Sequence, residues 1–285
     1  MKILTFFFVL ILSMTDAFAQ LALPGTTLNR QWETGPGLQT PESVLYDSVS
    51  GVIYVSNIDG KPTARDSSGF IATLSIDGKI LDTAWVKGLD APKGMGIVKN
   101  HLYVTNIDEI VEIDIPSATI LKRYKVEGSQ FLNDIATDPK TGMIFITDSG
   151  TGQVFILYNG KVNSWLQGPI FKGANGLFLQ GNFLYIGTAN SIIKADIVSG
   201  EVVVCVSGTG AVDGLFVNSE GKYIFSDWNG SVYVSGLKKK PELLLNTATL
   251  KENAADFGVI VSENMILIPT FFNNKVVSYT STVIK

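Results

Sequence analysis

Only one cysteine and one histidine occur in the 285 residues, and each scarcity excludes a class of chemistry. With Cys205 alone, neither an intramolecular disulfide nor a thiolate cluster can form. The residue lies in the apolar run Val202–Val206, where a small buried hydrophobe is the expected role. With His101 alone, at the entrance to a strand, no Ser-His-Asp or Cys-His triad has a sensible geometry, and a solvated turn residue is expected. Charge is also sparse, at 17% of residues with a net charge of -4. No basic block occurs, which argues against nucleic acid as a partner. There is no amphipathic helical stretch of useful length, no linker and no low-complexity tract. The Gly-rich Ser207–Gly210 follows a strand but opens no helix, so it is not a phosphate cradle.

Long apolar runs are missing too, except at the N-terminus. There Lys2 precedes the apolar stretch Ile3–Leu12, and Ala17-Phe18-Ala19 supplies an A-x-A cleavage pattern before Gln20. The pattern predicts a signal peptide over residues 1–19, export to a periplasm or out of the cell, and one mature domain over residues 20–285 with no membrane insertion after cleavage. As no cysteine follows the apolar stretch, lipid modification there is not expected.

What fills the rest of the chain is a repeat. A polar residue opens a short apolar run at Glu42-Ser43-Val44, Lys93-Gly94-Met95, Asn133-Asp134-Ile135, Asn175-Gly176-Leu177, Asp213-Gly214-Leu215 and Asp256-Phe257-Gly258. The copies recur about every forty residues, the spacing of propeller blades. Between the runs lie hairpin signals such as Ser50-Gly51, Thr141-Gly142, Asn159-Gly160 and Gly181-Asn182. The inner runs, among them Val52–Val55 and Leu102–Val104, are nearly unbroken and apolar, as strands buried on both faces are. The expected fold is therefore all-β, a six-bladed β-propeller. The last unit has room for three strands only, and the lone strand Leu28–Trp32 is expected to complete it.

If six units surround an axis, the six opening side chains face the central channel. Taken singly, Asn-Gly and Asp-Gly are turn formers, as at Asp59-Gly60 and Asp77-Gly78. Taken together they hold one column before an apolar run, where hairpin turns do not fall. Carboxylates crowded on an axis call for a shared positive charge. Glu42, Asn133, Asn175 and Asp213 offer oxygen only, which favours a hard divalent ion: Ca²⁺ first, Mg²⁺ or Mn²⁺ behind it, zinc least suited. Lys93 stands in the same column and is expected either to bind an anionic substrate or to pair with Asp256 or Glu42. Loops on the ring's face include Asn57–Gly69, which carries Arg65 and could act as a lid. Phe131, Trp228, Phe171, Phe271 and Phe272 are candidates for an apolar entrance.

The ordered quartet Glu42, Asn133-Asp134, Asn175-Gly176 and Asp213-Gly214 resembles that of the senescence marker protein (regucalcin), gluconolactonase and luciferin-regenerating enzyme family, and more distantly paraoxonase and diisopropylfluorophosphatase. The resemblance implies a six-bladed propeller whose quartet holds a divalent metal and hydrolyses lactones or phosphotriesters. It implies that Asp213 is both ligand and catalytic base or nucleophile, with Asn133 and Asn175 orienting substrate and metal. The chain departs from the family at Val44, Leu45 and Tyr46, where a Pro and a Trp are usual, and at Lys93. The position of His101 argues against a paraoxonase-like histidine base. The functional expectation is an exported, monomeric, metal-dependent hydrolase of a small molecule, lactonase- or esterase-like. The rival is a non-catalytic propeller, similar to NHL repeats at Ile146–Phe155, that binds a ligand, glycan or protein partner.

Overall fold

A computed structural model describes residues 28–284. The proposed signal peptide falls outside these residues. Six antiparallel four-stranded sheets surround an axis, and the chain is a six-bladed β-propeller. Blade 1 comprises β2 (Pro41–Asp47), β3 (Val52–Asn57), β4 (Gly69–Leu74) and β5 (Ile80–Leu89). Blade 2 follows with β6 (Pro92–Val98), β7 (His101–Asn106), β8 (Glu109–Asp114) and β9 (Thr119–Lys125). Blade 3 has β10 (Leu132–Thr137), β11 (Ile144–Asp148), β12 (Gln153–Tyr158) and β13 (Lys161–Gln167). Blade 4 has β14 (Leu177–Gln180), β15 (Phe183–Gly187), β16 (Ser191–Asp196) and β17 (Val202–Ser207). Blade 5 has β18 (Leu215–Val217), β19 (Tyr223–Asp227), β20 (Ser231–Ser235) and β21 (Glu242–Asn246).

The sixth blade is built from both ends of the described chain. Its strands β22 (Gly258–Ile260), β23 (Met265–Pro269) and β24 (Val276–Thr280) are joined on the outside by β1 (Asn29–Glu33). Asn29 faces Thr280 and Glu33 faces Val277 across that pair. A parallel bridge between Ser43 and Asp256 then ties blade 6 to blade 1 at the axis. The lone N-terminal strand thus plays the expected part, shifted by one residue.

Burial grades from the axis outward. Inner strands such as β3 and β7 are buried along almost their whole length, whereas the outermost β9 alternates between exposed and half-buried residues. Apolar side chains interlock between neighbouring blades, as where Phe145, Leu177, Leu184 and Ile193 form one cluster. Such burial is the main stabilising term of a sheet protein. Cys205 is buried beside Tyr185, Tyr223 and Phe225, in the apolar role expected of it.

The glycines sort into two physical kinds. Those of the hairpin turns, Gly51, Gly142, Gly160 and Gly181, have positive φ, as turn residues do. Gly94, Gly176 and Gly214 do not, so no turn demands them. They are glycine because first strands of adjacent blades touch there. A Cβ on Gly176 would lie 1.9 Å from the Asp213 carbonyl oxygen, and one on Gly94 would lie 2.4 Å from the Asp134 Cα. The dipeptides that look like turns in isolation are therefore contact points at the axis.

Candidate functional site

In blades 1, 2, 3 and 5 two polar residues at the end of the second strand build the frame of the ring, and neither was identified in the sequence. The first is a hydroxyl that joins blades. Thr147 Oγ1 accepts a hydrogen bond from Asp134 N at 3.0 Å and donates to Asn175 O, in blade 4, at 2.9 Å. Thr105 donates to Asn133 O at 2.6 Å, and Ser226 accepts from Gly214 N at 2.9 Å while donating to Ala255 O at 3.0 Å. The second is an Asn or Asp that grips the loop leading into the ring residue. Asn57 Oδ1 accepts from Gln39 N at 2.9 Å, Asn106 Oδ1 from Ala91 N at 3.0 Å, and Asp148 from Phe131 N at 2.9 Å. The signal was present as Ser56-Asn57, Thr105-Asn106, Thr147-Asp148 and Ser226-Asp227. A β-bulge then falls at the ring residue of each of the first three blades, a device that re-aims a side chain at a strand's end.

Five of the six opening residues act on one another through charge or a hydrogen bond, in two tiers, while the Asn133 side chain bonds within its own blade. Glu42, Lys93, Asn133, Asp213 and Asp256 are buried and Asn175 is half-buried. Asn175 Nδ2 donates to Asp213 Oδ1 at 3.0 Å, a direct link between blades 4 and 5. Asn133 Nδ2 donates to Ser149 Oγ at 3.1 Å, which leaves its oxygen as an acceptor. Glu42 feels the charges of Asp213, Lys93 and Asp256. Asp256 belongs to a lower tier: Ser43 Oγ donates to its Oδ2 at 2.6 Å, and its carboxyl feels the charge of Asp134. Asp134, which sequence reasoning passed over as a ring residue's neighbour, also accepts from Leu177 N at 2.5 Å.

Four buried carboxyls thus lie near one another, and one ammonium acts on Glu42. Burial first, then the negative charges of Asp213 and Asp256, hold the Glu42 carboxyl well above the usual range. Asp213 is pushed up to about 7 by burial, against the hydrogen bond from Asn175. Asp134 rises to about 8, chiefly through burial, and Asp256 rises through burial and then the Asp134 charge. Two buried oxygens, Glu42 Oε2 and Asn175 Oδ1, have no hydrogen-bond partner. In native proteins such an atom calls for an unseen water or ion.

Lys93 corrects one expectation. No ion pair among the described residues includes it. Its Nζ instead donates to Ala91 O at 3.0 Å and Pro62 O at 3.2 Å, and lies 4.4 Å from the centre of the Phe131 ring. Burial lowers its pKa to about 8, against the pull of the Glu42 charge. Carbonyls and an aromatic face satisfy the ammonium, so the structural pair with Glu42 or Asp256 is not made.

Other candidates fall at the margin. Arg65 does not enter the ring, because its guanidinium is bidentate to Asp108, at 3.0 and 2.5 Å, on the neighbouring blade. Together with the Pro62 bond this anchors the Asn57–Gly69 loop to blade 2. Trp228 is 40% exposed and packs edge-on against Phe271 and Phe272, at 5.3 and 5.6 Å between ring centres. Phe171 is buried in the core between blades 3 and 4. Over the blade 1, 2 and 6 sector, Ile58, Ala91, Ile107, Ala255 and Phe271 form an apolar roof. Ile107 and Phe271 have φ of 63° and 49°, a region that costs a branched or bulky residue energy and is held by surrounding contacts. His101 lies at the end of blade 2 away from the ring, as expected, yet it is more than a solvated residue. Its Nδ1 is 2.5 Å from Glu112 Oε1, which also accepts from Tyr103.

Among the described residues, no group of three or more His, Cys, Asp or Glu side chains is placed to hold a metal ion. The quartet differs from such a group in being half carboxamide. Its donors are all oxygen, two are unpartnered, and the set suits a hard cation.

No family model and no curated protein matches the sequence. Among solved structures, a chain from the crystal structure of a nidogen/laminin complex is similar, with a TM-score of 0.60 and 17% identity over 72% of this chain and 80% of that one. At this identity the likeness shows the fold alone.

Proposed function

We propose that the protein is a divalent-metal-dependent hydrolase of small lactones or esters, with the ion, calcium first, held by Glu42, Asn133, Asn175 and Asp213. The reading is carried by the two unpartnered buried oxygens, Glu42 Oε2 and Asn175 Oδ1, in a ring where carboxyls otherwise face one another. When bound, such an ion polarises a carbonyl oxygen and acidifies water. The chain's own part is positional. Asn175 Nδ2 fixes one oxygen of Asp213, Ser149 fixes the Asn133 amide, and the half-buried Asn175 marks the side from which a substrate reaches the ring. On this reading the first 19 residues direct export, and the enzyme acts as a monomer in a periplasm or outside the cell.

The test is thermal and catalytic. Protein stripped with a chelator and returned to calcium at about a hundred times its dissociation constant gains about 2.7 kcal/mol. Asp213→Asn and Asn175→Ala remove that gain and lactone turnover together. If calcium leaves the melting temperature unmoved and no lactone is turned over, the second reading takes its place. That reading is a binding propeller, favoured by the exposed Trp228 and Phe272 and by a structural neighbour found in a protein complex.

A further inference from the structure

We infer that the aromatic corner formed by Trp228, Phe271 and Phe272 is a binding site for a quaternary ammonium group. Trp228 stands at 77° to Phe271 and 81° to Phe272, and the two phenylalanines at 88° to each other, with ring centres 5.3, 5.6 and 4.9 Å apart. A cation over the middle of that triangle is within roughly 6 Å of all three centres at once, the reach of a cation–π contact. Phe271 is buried and forms the floor, while Trp228 and the 66% exposed Phe272 stand in solvent. No lysine among the described residues occupies the corner; those that lie over rings use Phe131, Tyr124 and Phe183.

Both segments that carry the rings are fixed. Asn253 Nδ2 donates to Trp228 O at 2.9 Å and so ties the indole's loop to the connection between blades 5 and 6. Thr270 Oγ1 accepts from Lys275 N at 3.1 Å and donates to Lys275 O at 2.9 Å, which closes the turn holding the two phenylalanines. Within that turn Phe271 keeps a φ of 49°, a costly conformation for a bulky side chain and one that clusters at functional sites. Two large rings left in water beside each other also forgo the burial that usually stabilises them.

The rings set the chemistry of the ligand. Their faces attract a positive charge, but a primary ammonium would leave its three donors over carbon. A quaternary ammonium has the charge, no donor to satisfy, and a shell of methyl groups that aromatic surface covers at no polar cost. An acidic side chain lies behind the turn. Glu252, the neighbour of Asn253, accepts on Oε1 from Asn273 Nδ2 at 3.3 Å and from Arg30 at 3.4 Å, and its buried Oε2 has no hydrogen-bond partner. The inference does not depend on the metal reading, since none of these residues belongs to the quartet.

Calorimetric titration of the full chain with choline, ethanolamine and the uncharged tert-butyl isostere of choline, in which carbon replaces nitrogen, tests it. Choline is expected to bind about tenfold or more tighter than either. Trp228→Leu weakens choline by about tenfold or more and Phe272→Leu by about threefold or more, whereas Trp228→Phe, which keeps a ring, loses less than Trp228→Leu. Both side chains are partly in solvent, so the melting temperatures stay near that of the parent and lost binding is not lost fold. Asn175→Ala, in the ring, leaves choline binding intact. Given choline binding, sedimentation with phosphatidylcholine but not phosphatidylglycerol vesicles assigns the head group to a lipid, and no sedimentation assigns it to a free solute. No binding of choline at about 10 mM, equal affinity for choline and its isostere, undiminished binding in Trp228→Leu, or loss of binding in Asn175→Ala would each overturn the inference.

Discussion

Replacing Gly176 by alanine isolates the contact on which the ring depends. The residue does not have positive φ, so alanine meets no backbone penalty there. Its cost is crowding: the new Cβ would stand 1.9 Å from the Asp213 carbonyl oxygen, more than 1 Å inside ordinary contact. Neither strand can yield freely. Asn175 N and Gly176 O are both bonded to Gly187, at 2.9 and 2.8 Å, and Asp213 N is bonded to Ser226 O at 2.8 Å. Overpacking that cannot be relieved by a side chain lies at the upper end of its range, about 3 kcal/mol. In a domain of this size that lowers the melting temperature by roughly 6–12 °C. Gly181→Ala is the control, because its φ is 59° and nothing lies within 4 Å of the added carbon. It costs about 1–2 kcal/mol through backbone conformation alone. Calorimetric melting of both variants decides the matter. A Gly176→Ala protein that melts within about 2 °C of the parent, or above Gly181→Ala, refutes the contact argument.

Three further outcomes are expected. Thr147→Val leaves Asp134 N and Asn175 O without their shared hydroxyl and lowers stability by about 1–3 kcal/mol in denaturant titrations, whereas Thr147→Ser restores most of it. Lys93→Met removes the positive charge that acts on Glu42, and calcium titration should show binding tightened by about tenfold or more. Asp108 is held below its ordinary value of 3.8: burial works against this, but hydrogen bonds from Arg65 and Lys125 outweigh it. Its contribution is present above the unfolded value and lost as pH falls through the folded one, so Asp108→Asn should lower the melting temperature at pH 7 by an amount that shrinks as the pH is brought down through the folded value.

The fold was legible because each blade repeats the same requirement, a strand buried on both faces and opened by a polar residue at the axis. Even the closure of the last blade could be read, since Asp256 is followed by only three strand-like runs. The column itself was legible for the same reason, but the direction of each side chain within it was not. Asp256 turns down to Asp134 rather than joining Asn175 and Asp213, because Ser43 offers it a hydroxyl from the neighbouring blade. Lys93 finds carbonyls and the Phe131 ring instead of a carboxylate. Arg65 meets Asp108 across a blade boundary. Such choices depend on which loops of different blades come within a few ångströms, and no local pattern records that. The hydroxyl-plus-Asn or Asp pairs closing the second strands of blades 1, 2, 3 and 5 were the overlooked exception, since they hold the same place in each of those blades and could have been read.

Sealing one blade with strands from distant parts of the chain also sets the timing of folding. Asn29 cannot meet Thr280 until nearly everything between them has left the ribosome, which at about 5–20 residues per second takes roughly 10–50 s. Through that interval the nascent β1 waits without a neighbour, and its Asn29, Arg30, Gln31 and Glu33 side chains discourage adhesion to another chain. A circular permutant that carries residues 28–34 after Ile284 would make this last pairing a local event.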